Sequence, residues 1–241
     1  MSFSEYRDSF DSLLWVKRVA NQHEQILFER AQKYISHLSW IPGIQMVSVV
    51  NSLSMYATHP DSDIDLFIIT DPERIWLVRF LITTQFYFQR VWRKGDAIRG
   101  NFCLSFFITT DAMDLRQVAI TDDIYLYFWI YYLKPILVRW AIYEQFLMAN
   151  TWVTLDAEQG IINSEFQILD TNLWSSHSLL SPLYSILNTC IRFFLFPYTQ
   201  RSYRLLWEPE WVIIADTILK FHDHDRRATI RDAILEKDFD K

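Results

Sequence analysis

The sequence predicts an α+β fold: a small mixed β-sheet flanked by helices, with an α-helical C-terminal half packed on it. Three observations lead there. Three apolar runs of strand length, at 44–50, 61–70 and 102–109, are bounded by turn residues. Before and between them, apolar positions recur at helical spacing, and from Asp122 onward the pattern is helical throughout. Hydrophobic residues make up 51% of the 241 residues and aromatics 17%, enough to bury a substantial core.

The elements follow in order. Residues 5–39 read as one helix, with apolar positions at Leu13, Leu14, Val16 and Val19 and then Ile26, Leu27, Ala31 and Ile35. Pro42-Gly43 stops it. The strand at 44–50 delivers Ser52 to a loop. In the strand at 61–70, Asp63 and Asp65 point one way while Ile64 and Leu66 face the core. Asp71 as N-cap and Pro72 in the first turn start a helix running to about Arg93. Arg74 and Arg79 on it read as surface or interhelical ion pairs. Residues 94–100 form a loop. Alternation in the strand at 102–109 puts Cys103, Ser105 and Phe107 on one face and Phe102, Leu104 and Phe106 on the other. Helices are expected at 122–150, 179–196 and 216–236. The domain expectation is a unit at 1–115, including the N-terminal helices, and a helical region at 116–241 packed on it.

A net charge of −6 gives no global basic field to draw nucleic acid. Cys103 and Cys190 lack metal-ligand spacing and read as core thiols of a reducing compartment, so a cytoplasmic location is expected. The polar, charged opening residues do not have the pattern of a secretory leader. Lys134, Pro135 and Arg139 cut the apolar stretch at 124–133 short of the ~20 residues a membrane span needs. The stretch at 179–198 includes Ser181, Pro182, Ser185, Asn188 and Arg192. Buried helices are therefore favoured over membrane contact.

The chemistry lies in Asp63-Ile64-Asp65. Two carboxylates on one sheet edge repel each other unless a cation sits between them. Hard oxygen donors suit Mg²⁺, which takes one or two carboxylates together with substrate phosphates. The pair therefore points to metal-assisted phosphoryl transfer, with Mg²⁺ or Mn²⁺ as cofactor. Asp-Ser-Asp-Ile-Asp as a solvated turn is the plainer alternative.

The surrounding residues resemble the nucleotidyltransferases of the DNA polymerase β superfamily, which carry Gly-Ser, ten residues and then Asp-x-Asp. Here Asn51-Ser52 is followed by residues 53–62 and then Asp63-Ile64-Asp65. Pro60-Asp61-Ser62-Asp63-Ile64-Asp65-Leu66 is similar to the wording of the minimal nucleotidyltransferases. The segment from Asp71-Pro72 to Arg79 resembles an uncharacterised bacterial subgroup. The resemblance covers roughly residues 40–110. It implies a nucleotidyltransferase-type fold and transfer of a nucleoside monophosphate from a nucleoside triphosphate to an acceptor hydroxyl, with pyrophosphate released. Asp63 and Asp65 would hold the metal, and Asn51, Ser52 and Ser62 would meet the nucleotide. The acceptor, whether protein, RNA or small molecule, stays open.

Two positions depart from that pattern. Asn51 stands where Gly is usual, although Asn tolerates a left-handed backbone. The third carboxylate expected from the strand at 102–109 is missing; Ser105 is the candidate for its place, and Asp111 or Asp114 for a replacement from beyond the strand. The alternative function is therefore a catalytically impaired nucleotide-binding or regulatory interaction module on the same fold. Lys220, Arg226 and Arg227 are candidates for holding triphosphate charge. His222 and His224, two residues apart, do not share a helix face and match no standard zinc spacing. His59 reads as an exposed loop residue, and the Trp and Tyr residues of 124–152 as core.

Overall fold

The computed structural model describes residues 3–93, 98–164, 168–169, 180–204, 212–221 and 225–239. The expected helix at 5–39 is divided. A 3₁₀ turn, Phe3–Tyr6, leads into α1 (Arg7–Leu14), which ends at Trp15 in the left-handed region, φ 59°. Helix α2 (Gln22–Ser36) starts afresh from a capping box: the Asn21 side chain accepts from Glu24 N, and Glu24 accepts from Asn21 N. A local hydrogen-bonding alternative at Asn21 breaks what apolar spacing alone reads as continuous.

Strand β1 (Ile44–Val49), the single turn α3 (Asn51–Ser54) and β2 (Ile64–Thr70) follow. Helix α4 (Ile75–Phe88) begins later than expected. Asp71 does not cap it; its carboxylate accepts from Gln45 Nε2 at 2.6 Å. Glu73 takes a left-handed φ of 56°, which postpones helical geometry to Ile75, with Arg74 at the N-cap position. Arg74 is buried rather than at the surface and donates to Ser181 and Ser185. Gly43, at φ 88°, lies under it; a Cβ there would come within 2.8 Å of the Arg74 side chain.

After β3 (Phe102–Thr109), 3₁₀ turns lead to α5 (Ile124–Tyr131). The expected helix at 122–150 is interrupted where Lys134 and Pro135 open β4 (Lys134–Val138), before α6 (Ile142–Ala149) resumes. Helix α7 (Ala157–Ser164), β5 (Ile168–Leu169) and α8 (Ser181–Arg204) come next. The start of the expected helix at 216–236 is instead a hairpin of β6 (Val212–Ile214) and β7 (Ile218–Phe221), and α9 (Arg227–Phe239) begins after it. Part of the loop at 94–100, part of the stretch at 150–178, and His222 and His224 lie outside the described residues.

Among the described residues seven strands form one mixed sheet in the order β5-β4-β1-β2-β3-β7-β6. The β2–β3 and β4–β5 pairs are parallel and the others antiparallel. The C-terminal half is helical as expected, and it also extends the sheet at both edges, so strands from either side of residue 115 pair together. Along β2, Phe67 and Ile69 enter one apolar cluster with residues of α1, α5, α6 and α9. Leu66 and Ile68 enter a second cluster, with α2 and α4, against which α8 packs. Phe67 packs with ring centroids 5.1 Å from both Phe106 and Trp129. Each such buried aromatic contributes about 1.5–3 kcal/mol. Among the described residues no helix is long and apolar enough to cross a membrane.

Candidate active site

Asp63 immediately precedes β2, and Asp65 is its second residue. The β1–β2 connection closes beside them, with Val50 N donating to Asp65 O and Ile64 N to Asn101 O. In the parallel register Asp65 lies opposite Cys103. The carboxylate oxygens of Asp63 and Asp65 and the sulfur of Cys103 lie within 4.8 Å of one another. Burial, then the neighbouring charge of Asp63, pushes the Asp65 carboxyl up to about 6. Burial and the two carboxylates also raise the Cys103 thiol. The donor set consists of acceptor groups crowded together, a set that fits a divalent cation.

One cation of the chain is already beside them. Arg93 Nη1 stands 2.7 Å from Asp63 Oδ2 and 3.7 Å from Cys103 Sγ. Its guanidinium partly neutralises the edge.

Asn51 adopts φ 57°, the left-handed conformation that a Gly would take without strain. Its side chain hydrogen-bonds Asp65 and lowers that carboxyl's pKa, against the larger effect of burial. Its Oδ1 accepts from Trp129 Nε1 at 2.8 Å and from Tyr125 OH at 3.2 Å. Two aromatic residues expected as plain core therefore fix the orientation of the amide beside Asp65.

A β-bulge corrects the expected alternation in β3. Two residues, Leu104 and Ser105, separate Cys103 from Phe106, whereas one residue separates their partners Asp65 and Phe67. Phe107 consequently packs in the same cluster as Phe102, and Phe106 in the other. Cys103, not Ser105, occupies the position facing the acids. Ser105 is buried and hydrogen-bonds the Cys103 sulfur. Asp111 accepts from Thr109 Oγ1, and Asp114 is held by Arg116 at 2.6–3.0 Å. Neither belongs to the cluster of donors.

No family model matches this chain, and no curated protein or solved structure does. The site's chemistry therefore rests on its geometry.

A cavity of about 520 Å³ brings Asn51 and Ser52 together with Tyr125, Trp129, Lys220, Arg226 and Arg227. Ser62 does not line it; its Oγ closes its own loop by accepting from His59 N at 2.9 Å. The basic residues are not equivalent. Arg227 Nη1 contacts Asp123 at 2.7 Å and its Nη2 contacts Asp225 at 2.7 Å; Lys220 reaches Asp225 at 3.4 Å. Burial opposes ionisation of Asp225, but the Arg227 hydrogen bonds prevail and hold it at about 2. Burial, then Arg227, lowers the pKa of Lys220. Two cations and two carboxylates thus neutralise one another inside the wall, while Arg226 is exposed on it.

A second cavity, about 630 Å³, is bordered by Cys103 of the donor cluster and by Arg93. Thr83, Thr84, Trp92 and Tyr198 line it. Arg79 in its wall donates to Thr199 Oγ1 and lies over the Phe221 ring, 4.4 Å from its centroid. Sequence reasoning missed the roles of Cys103 and Arg93. Cys103 was signalled by its place two residues into the strand expected to carry the third acid; Arg93, separated from Asp63 by 30 residues, carried no signal.

Proposed function

We propose that the protein is a divalent-metal-dependent nucleotidyltransferase, moving a nucleoside monophosphate from a nucleoside triphosphate to an acceptor hydroxyl. The observation that carries this reading is the convergence of Asp63, Asp65 and Cys103 within 4.8 Å beside a cavity lined by Asn51, Ser52 and Arg226.

Asp63 and Asp65 would hold the ion, Mg²⁺ or Mn²⁺, which supplies charge neutralisation on the phosphates during in-line displacement. Asn51 holds Asp65 in place, and Ser52 and Arg226 face the nucleotide's phosphates. Tyr125 and Trp129 give the cavity aromatic walls. The second cavity, bordering Cys103 and Arg93, is the side from which an acceptor hydroxyl approaches. With no third carboxylate, no side chain of the cluster is a competent base for that hydroxyl, and loss of such a group costs about 10²–10⁴-fold in rate. The reaction is therefore slow. Two unpaired cysteines suit a reducing compartment, and we assign the protein to the cytoplasm.

The Arg93–Asp63 pair favours a second reading, a nucleotide-binding or regulatory module without turnover, because it supplies an internal cation where the enzyme needs an exchangeable one. Pyrophosphate release separates the two. The enzyme releases pyrophosphate from a nucleoside triphosphate with Mg²⁺ or Mn²⁺, and Asp65→Asn stops it. Tight nucleotide binding with no pyrophosphate, across all four nucleotides and a range of acceptors, would establish the module.

A further inference from the structure

We propose that Cys103 is a third ligand of the ion held by Asp63 and Asp65, giving this site a preference for a thiophilic divalent ion, Zn²⁺ in particular, over Mg²⁺. The inference rests on the metal reading above and names the ion.

Cys103 is opposite Asp65 in the β2–β3 register, and its sulfur and the two carboxylates lie within 4.8 Å of one another. It belongs to neither apolar cluster, so packing does not account for it. It instead borders the second cavity, half-buried, with Ser105 hydrogen-bonded to its sulfur and Arg93 Nη1 3.7 Å away. Three protein donors are the number that catalytic zinc sites use, leaving a position for water or substrate. Mg²⁺ takes hard oxygen donors and gains little from sulfur, whereas thiolate donors select softer ions. Binding exchanges the thiol proton for the ion, and the proton leaves to solvent.

The test uses the full chain with Cys190→Ala, because exposed Cys190 would bind thiophilic ions itself. Co²⁺ is titrated as the optical probe, and Zn²⁺ and Mg²⁺ affinities are measured by calorimetry. A sulfur-to-cobalt charge-transfer band is expected, together with Zn²⁺ binding tighter than Mg²⁺. Cys103→Ser should abolish the band and weaken Zn²⁺ by at least about tenfold, leaving Mg²⁺ affinity unchanged. If the ions bind in an Asp65-dependent way but the band is absent or survives Cys103→Ser, the cysteine assignment is overturned while the metal reading stands. If no ion binds, or if Asp65→Asn binds ions like the parent, both are overturned.

Discussion

The Asn51 side chain hydrogen-bonds the Asp65 carboxylate across the ends of β1 and β2, from a left-handed backbone at φ 57°. Its carbonyl is tied at the same time to Trp129 Nε1, 2.8 Å away. One residue thus makes the turn, orients a carboxylate and anchors α5 to the site.

Asn51→Gly keeps the turn and loses the side-chain bonds, at a cost of about 1 kcal/mol for each. Asn51→Ala loses the same bonds and adds about 1–2 kcal/mol of left-handed strain. Urea denaturation should therefore rank the parent above Asn51→Gly and Asn51→Gly above Asn51→Ala. Equal stability of the two variants would show that the backbone strain is not felt.

Asp65 should make the metal-free protein less stable as pH rises. Its folded pKa is raised to about 6 by burial and by Asp63, against ~3.9 in an unfolded chain. The folded state therefore binds more protons between about pH 4 and 6, and stability falls through that window. Asp65→Asn should flatten this slope and raise stability at neutral pH by roughly 1–3 kcal/mol. Thermal unfolding in chelator at several pH values reads it.

Arg93→Gln removes the cation beside Asp63. The Arg93 end of the pair is exposed to solvent, so the stability loss should stay below about 1 kcal/mol. Affinity for a divalent ion should rise, because the ion no longer competes with a guanidinium. Calorimetric titration with Mn²⁺ checks this, and unchanged or weaker binding would contradict it.

The fold's frame was legible in the sequence because its signals are local. Alternation in β2, the strand at 102–109 and the Asn51-to-Asp65 spacing all depend on neighbouring residues. The four C-terminal strands were not legible, being two to five residues long and embedded in apolar runs that helices share. The β3 bulge was also hidden, since it arises from pairing with β2, and it puts Cys103 rather than Ser105 opposite the acids. Arg93 reaches Asp63 only through the folded path of α4 and the turn beyond it.

The bulge changes which acid substitution should serve the proposed transfer. Cys103→Asp places a third carboxylate at the donor cluster and should accelerate pyrophosphate release, by up to about 10²–10⁴-fold. Ser105→Asp puts a carboxylate at the buried bulge position behind Cys103, which does not face the acids, and should destabilise by more than about 2 kcal/mol with no gain in rate. The reverse ranking would return the vacant position to Ser105.

The basic residues of the first cavity should separate by burial. Arg227→Ala leaves Asp123 and Asp225 without their shared partner and should cost about 3–5 kcal/mol. Arg226→Ala should leave stability unchanged and weaken triphosphate binding. Chemical denaturation together with nucleotide titration tells them apart.

The most direct measurement of the central claim is a thermal-shift comparison of the four nucleoside triphosphates, with Mg²⁺ or Mn²⁺ and with chelator, on the parent, Asp63→Asn and Asp65→Asn. A nucleotide at 100 times its dissociation constant adds ~2.7 kcal/mol of apparent stability. The account predicts a shift with at least one nucleotide that requires the ion and is lost in both variants. A shift of the same size in chelator, or in either variant, would contradict it.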